Sequence, residues 1–379
     1  MVCTTEPNGM GGNRTNRKRR AALSRSKKEF KIMDFDNLYN RPDIPATEQA
    51  PPLARERNYV FHTECIDAPE VSVTPISRKQ GCQEWRVAIR GKGSMVPIHP
   101  TVSLGEILPA ADLGAMANST IPEAYRPNWL SLSYTPRIRP HLLNHLTFVR
   151  PPVHLMVRES LSFSYPWCTI GKIFVSRPGE GTKSGSGVLV GPNLLLTASH
   201  AMPWGNPNAS IQFIPAYRKG QIDERFGDAW VERYRGVRRG EGEADEHDFV
   251  ICKLNWRIGD RTGWMGSWAW SNEDPYFAGN WISVGFPASF MGGEIPAVEA
   301  PVSVEDMDGG GDFFEIETDD FTSGGWSGGP LWGWIDDQPR VIGIASGTEK
   351  DFLDPTRSVF AGGLHLVDLV KYGWANWQI

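Results

Sequence analysis

The sequence predicts a mainly β protein, a barrel or a sandwich. From about residue 162 short apolar segments recur, Gly, Asn and Asp punctuate them, and no alternation of strands with helices is visible. The strand candidates are Thr169 to Val175, Gly185 to Val190, Leu194 to Thr197, Ile211 to Ile214, Trp230 to Tyr234, Phe249 to Leu254, Trp281 to Val284, Phe313 to Ile316, Leu331 to Trp334 and Val341 to Ala345. With 40 Gly and 29 Pro in 379 residues, frequent turns and short strands are expected. Only Leu364 to Trp377 reads as a helix, because Leu364, Val367, Leu369, Val370 and Trp374 fall on one face. No internal repeat is found.

Ahead of this β-rich region the chain reads differently. Residues 1–57 combine a Gly/Asn/Arg head with Pro42, Pro45, Pro51 and Pro52 and show no sustained periodicity, so no fold is assigned to them. Residues 58–160 hold short apolar runs, such as Trp85 to Ile89, broken by Pro97, Pro100, Pro109, Pro122 and Pro127. They read as an accessory domain, a propeptide clipped near Arg158 to Phe163, or an extension wrapped on the domain at 161–379.

The net charge of -5 hides a division: residues 1–31 carry nine Lys or Arg against Glu6 and Glu29, a local +7, which leaves -12 for the rest. Arg17-Lys18-Arg19-Arg20 and Lys27-Lys28 fit a nuclear-import or nucleic-acid patch or a processing site. Composition favours a solvated tail over nucleic-acid contact. No run of 18 apolar residues occurs, so no membrane span is expected, and residues 1–30 contain no signal-peptide core. Oligomeric state and localisation are not encoded in any pattern found. Cys3, Cys65, Cys82, Cys168 and Cys252 contain no C-x-x-C pair and no zinc spacing, which excludes a dense disulfide framework and a metal site of that kind. Spacing leaves a Cys65–Cys82 bridge and two free thiols equally open.

Three blocks carry chemistry. Attack on a peptide carbonyl by a serine hydroxyl needs a base to take its proton and a third group to orient that base. Ser327 lies in Gly325-Trp326-Ser327-Gly328-Gly329-Pro330-Leu331, whose glycines allow backbone N–H groups, Gly325 and Ser327 first, to face a developing oxyanion. His200 ends Leu194-Leu195-Leu196-Thr197-Ala198-Ser199-His200. Asp248 has rivals in Asp245 and Glu246, but it alone is followed by the apolar run Phe249-Val250-Ile251-Cys252 that buries a carboxylate.

These blocks resemble the signatures of the trypsin-like (chymotrypsin-fold) serine peptidases, in the order His, Asp, Ser, with separations of 48 and 79 residues. Ser184 to Val190 and Val341 to Gly347 are similar to the strands that precede the histidine and border the substrate pocket. Val284-Gly285-Phe286-Pro287 is similar to a segment of the bacterial and fungal branch that includes glutamyl endopeptidases, a branch often secreted. The resemblance implies two six-stranded antiparallel β-barrels with a C-terminal helix over roughly residues 165–379. It also implies a polypeptide substrate cleaved through an acyl-enzyme, with no cofactor and no metal. Trp326 stands where digestive members carry an aspartate, so their switch of activation by a newly cut N-terminus is expected to be missing, as is their histidine-loop disulfide. The resemblance places Phe321, Thr322 and Ser323 on the pocket wall, facing Ala345, Ser346 and Gly347. These segments carry no Lys, Arg or His to attract an acidic side chain, and no acidic pocket base is visible.

Two alternatives stay open on sequence. A barrel homologue without activity keeps the same blocks. The serine turn also fits the nucleophile elbow of α/β-hydrolases, with Asp354 and His365 as partners, although Gly328, Gly329 and Pro330 stand where that elbow starts a helix.

Overall fold

The computed structural model describes residues 31–51, 70–79, 82–90, 102, 105–134, 155–206, 208–239, 245–310, 312–349 and 357–377. The chain divides into Met1–Lys31 and Ile32–Ile379, and the fold below is that of the second unit. The basic head, Cys3, Cys65 and Asp354 lie outside the described residues.

Six strands build the first sheet: β1 (Ile170–Arg177), β2 (Gly181–Gly191), β3 (Leu194–Thr197), β4 (Ser210–Pro215), β5 (Ala229–Gly236) and β6 (Val250–Leu254). All neighbours are antiparallel in the order β6-β3-β2-β1-β4-β5, and β5 pairs back onto β6, which closes the barrel. The continuous apolar runs follow from burial of both faces. Leu195, Leu189, Val250 and Cys252 point into one cluster, while Leu194, Leu196, Val188, Val190 and Ile251 point into a second, larger one. Side chains alternate across a strand, so a strand buried on both sides loses the polar half of its pattern.

The second sheet comprises β7 (Trp281–Gly285), β8 (Ala297–Val302), β9 (Val304–Gly310), β10 (Phe313–Thr318), β11 (Pro330–Ile335), β12 (Gln338–Glu349) and β13 (Arg357–Gly362). Its antiparallel order is β9-β10-β13-β12-β11-β7-β8. Only Ser303 separates β8 from β9, and its N–H donates to Asp319 Oδ1 (2.7 Å) while its carbonyl accepts from Asp319 N–H (3.1 Å). Residues 297–310 thus act as one bent strand that pairs with β7 at one end and β10 at the other, completing a six-stranded circuit. The C-terminal helix, Leu364–Trp377, buries Leu366, Val367, Leu369 and Val370 and donates from Trp374 Nε1 to Val190 O (2.9 Å). The two-barrel, mainly β architecture and its terminal helix match expectation.

Residues ahead of β1 pack onto both barrels. Glu106–Ile107 pairs in parallel with β5, and Leu155–Met156 pairs antiparallel with β8. Within the stretch read as having no fold, Phe35–Tyr39 forms a short helix whose Phe35 and Leu38 join the larger core. Leu108, Leu113, Leu130 and Leu132 join it too. Glu70–Lys79 and Cys82–Arg90 form an antiparallel hairpin. Among the described residues no helix is long and apolar enough to cross a membrane.

Candidate active site

β3 and β6 are hydrogen-bonded neighbours, with Val250 opposite Thr197, so the segments that run past their ends carry His200 and Asp248 to the same place. Asp248 is fully buried and accepts at both oxygens. The His200 backbone N–H donates to Oδ1 at 2.8 Å, and His200 Nδ1 lies 2.6 Å from Oδ2. A carboxylate only accepts, so Nδ1 carries the ring proton and the Nε2 lone pair is left for a substrate-side proton. The His200 side chain is 24% exposed against 0% for Asp248, which makes it the accessible member of the pair. Below it, Ser199 Oγ donates to Arg238 O at 2.7 Å and Trp204 Nε1 donates to Ser199 O at 2.8 Å, holding the chain on either side of the histidine. Asp245 and Glu246 turn elsewhere: Asp245 pairs with Arg238 and His247, and Glu246 with His247.

The Ser327 turn comes from the second barrel, just before β11. Gly325 (φ +101°) and Gly328 (φ +85°) occupy backbone regions that favour glycine. A Cβ on Gly328 would fall on Thr197 Oγ1 and Ser186 O, so this close approach sets the serine turn against the strand that leads to His200. A cross-barrel bond fixes the contact, Ser186 N–H donating to Ser327 O at 2.8 Å, and within the second barrel Gly328 N–H donates to Ala345 O at 2.9 Å. Within the turn, Trp326 N–H donates to Ser323 O (2.8 Å) and Gly329 N–H to Trp326 O (2.7 Å). Among the described residues the Gly325 and Ser327 N–H groups make no hydrogen bond, and no bond joins Ser327 Oγ to His200. Such bonds between catalytic groups are often long in unliganded enzymes and tighten in the substrate complex. Trp326 is fully buried and donates from Nε1 to Ser283 Oγ at 2.8 Å.

The expected pocket-wall residues fall into two sets. Phe321 is exposed; Thr322 is buried, its N–H and Oγ1 bonding Ser358 Oγ at 2.7 and 3.0 Å; Ser323 Oγ lies 2.6 Å from Ser289 Oγ. On β12, Ala345 is buried and bonded to the serine turn, and Gly347 pairs with Val359. The Ser346 hydroxyl donates to Asp248 Oδ2 at 2.6 Å and accepts from Asp245 N–H at 3.2 Å, so the aspartate is held by three donors. Asp320 adjoins this wall. It is buried beside Glu299, and desolvation together with that neighbouring acid pushes its carboxyl up to about 8. Kept protonated at neutral pH, it supplies no negative pocket base.

Residues 185–344 match the trypsin-like peptidase domain model, over less than half of the chain. Three solved structures are among those to which the chain is similar. A Glu endopeptidase in complex with MPD shares 17% identity, over 56% of this chain and 93% of that one, with a TM-score of 0.44. A thermostable serine protease, AL20, from an extremophilic microorganism shares 20%, over 55% and 98%, with a TM-score of 0.43. Protease Anisep from Arthrobacter nicotinovorans shares 20%, over 52% and 91%, with a TM-score of 0.40. No curated protein sequence matches the chain.

Pro330 starts β11, so a strand follows the serine where a hydrolase elbow requires a helix. His365, the base which that elbow would need, meets the Phe313 ring edge-on and neighbours Asp312. That reading therefore has no support in the fold. Sequence reasoning missed the hydroxyl of Ser346 as a partner of Asp248 and the hydroxyl of Ser186, which donates to Gly325 O at 2.8 Å. Neither carries a local signal, because each depends on how distant strands meet.

Proposed function

We propose that the peptidase domain is a serine endopeptidase that hydrolyses peptide bonds through Ser327, His200 and Asp248. What carries the reading is the 2.6 Å contact of His200 Nδ1 with a buried Asp248, set against a glycine turn that presents Ser327 from the opposite barrel. Ser327 Oγ attacks the scissile carbonyl and passes its proton to His200 Nε2. The tetrahedral oxyanion takes the Gly325 and Ser327 N–H groups, and His200 returns the proton to the leaving amine as the acyl-enzyme forms. Water, activated by the same histidine, then hydrolyses the ester. Asp248 keeps the ring in the Nδ1–H tautomer and stabilises the imidazolium. Phe321, Thr322, Ser323, Ala345 and Gly347 border the side chain of the residue cleaved, with Ser346 contributing backbone to that wall.

The buried extension residues support a chain that acts with residues 58–160 attached. Burying a large apolar side chain stabilises by about 1.5–3 kcal/mol, and Leu108, Leu113, Trp129, Leu130 and Leu132 of that segment are all in the core. Their sum is comparable with the net stability of a whole domain, about 5–15 kcal/mol.

The test is hydrolysis of denatured casein by the full-length chain, read as new N-termini by mass spectrometry. Wild type is expected to cleave, and Ser327→Ala and His200→Ala to lose orders of magnitude in kcat while keeping the fold. Equal cleavage by wild type and both variants would refute the assignment. A folded wild type that cleaves nothing would favour the non-catalytic barrel.

A further inference from the structure

We propose that the Ser186 hydroxyl is a positioning group for the oxyanion donors of the Ser327 turn, an inference that rests on the nucleophile reading above. Ser186 lies on β2 in the first barrel and is fully buried, whereas the turn belongs to the second. Each of its polar atoms bears on the site. Its N–H donates to Ser327 O at 2.8 Å and its carbonyl accepts from Thr197 Oγ1 at 2.7 Å. Its hydroxyl donates to Gly325 O at 2.8 Å and accepts from Phe286 N–H at 3.0 Å. Because Phe286 occupies the acceptor side, the hydroxyl hydrogen is directed at Gly325.

That direction matters through peptide geometry. In a planar trans peptide the C=O and N–H point opposite ways. Gly324 O accepts from Ala288 N–H at 2.8 Å, so Gly325 N–H points away from the 286–288 segment. The following peptide is pinned in the same manner, Gly325 O by Ser186 and Trp326 N–H by Ser323 O. Gly325 is therefore a flexible joint clamped on both sides. Released from Ser186, its φ and ψ have the wide range open to glycine, and the direction of its N–H is no longer fixed. The loss would fall on the transition state, where the oxyanion develops, more than on substrate binding.

The experiment compares full-length wild type, Ser186→Ala and Ser186→Cys, the last being close in shape with a weaker donor. Four quantities are read: the second-order rate of modification by a fluorophosphonate, kcat and KM on a fluorogenic peptide built on a casein site that wild type cleaves, and the thermal midpoint. In the probe reaction the Ser327 Oγ–P bond forms, the P–F bond breaks, fluoride leaves and the serine proton passes to His200. For folded Ser186→Ala, labelling and kcat should fall by roughly tenfold or more with KM within about twofold, and Ser186→Cys should lie between. A merely structural serine would shift the thermal midpoint and leave kcat of the folded fraction unchanged, and that result overturns the proposal. So does a loss confined to KM. If Ser186→Ala does not fold, Ser186→Cys decides by the same criteria. A folded wild type inert to the probe refutes the nucleophile reading and this inference with it, whereas a reactive wild type with an equally reactive Ser186→Ala refutes this inference alone.

Discussion

Replacing Asp248 by Asn tests the orientation of the base with almost no change of volume. The native carboxylate accepts from His200 N–H, His200 Nδ1–H and Ser346 Oγ–H. An amide offers one oxygen and one NH2. If the NH2 takes the Oδ1 place it meets the His200 backbone N–H, donor to donor, and leaves buried groups unsatisfied at about 1–3 kcal/mol each. If it takes the Oδ2 place it donates to Nδ1, the ring proton moves to Nε2, and the lone pair that would accept the serine proton is gone. Ser346 adapts, because its hydroxyl can rotate to accept. The second arrangement is therefore favoured, and it keeps the fold while removing the base. A wrong tautomer in such a triad costs about 10⁴-fold in kcat, or roughly 5 kcal/mol of activation free energy. Casein hydrolysis and the fluorophosphonate labelling rate, measured at about pH 7, should fall together. A folded Asp248→Asn chain that kept more than roughly a tenth of wild-type activity would refute the orienting role.

Other outcomes follow from the same contacts. Gly328→Ala would place a methyl group on Thr197 Oγ1 and Ser186 O at a φ of +85°, so it should separate the serine turn from the histidine strand. Activity should fall by at least roughly tenfold, and a wild-type rate would contradict the close approach. Asp320 stays protonated in the native chain up to about pH 8, whereas its ordinary value is 3.8. Between these values the unfolded chain releases a proton that the native chain keeps, so stability from this group is complete below 3.8 and lost as pH rises to about 8. The thermal midpoint of wild type should fall across that window and that of Asp320→Asn should fall less; equal slopes would exclude the buried neutral carboxyl. Leu113→Ala, in the extension, should cost about 2–5 kcal/mol by chemical denaturation. A loss below roughly 1 kcal/mol would show that the extension is not part of the folded unit.

All ten strand candidates overlap observed strands, two of them starting one residue early, because burial on two faces turned β2, β3 and β6 into apolar runs that stand out from their surroundings. β8, β9 and β13 were illegible for the converse reason. Glu299 and Pro301 interrupt β8, β9 reads Val-Glu-Asp-Met-Asp-Gly-Gly, and β13 is six residues ending in Gly362. Backbone pairing, rather than an apolar pattern, makes these segments strands. His200, Asp248 and Ser327 were readable because each sits in its own local block. Their supports were not: Ser346 reaches Asp248 across 98 residues and Ser186 reaches Gly325 across 139. The Trp326 departure gains a physical account. Its buried indole bonds Ser283, so this position is anchored within the second barrel.

The central claim is that Ser327 is the nucleophile, and the most direct measurement is the site of covalent modification. Full-length protein treated with a fluorophosphonate, digested and sequenced by tandem mass spectrometry should carry the phosphonyl group on Ser327, and Ser327→Ala should carry none. An adduct on another serine, or unchanged labelling of Ser327→Ala, would contradict the account.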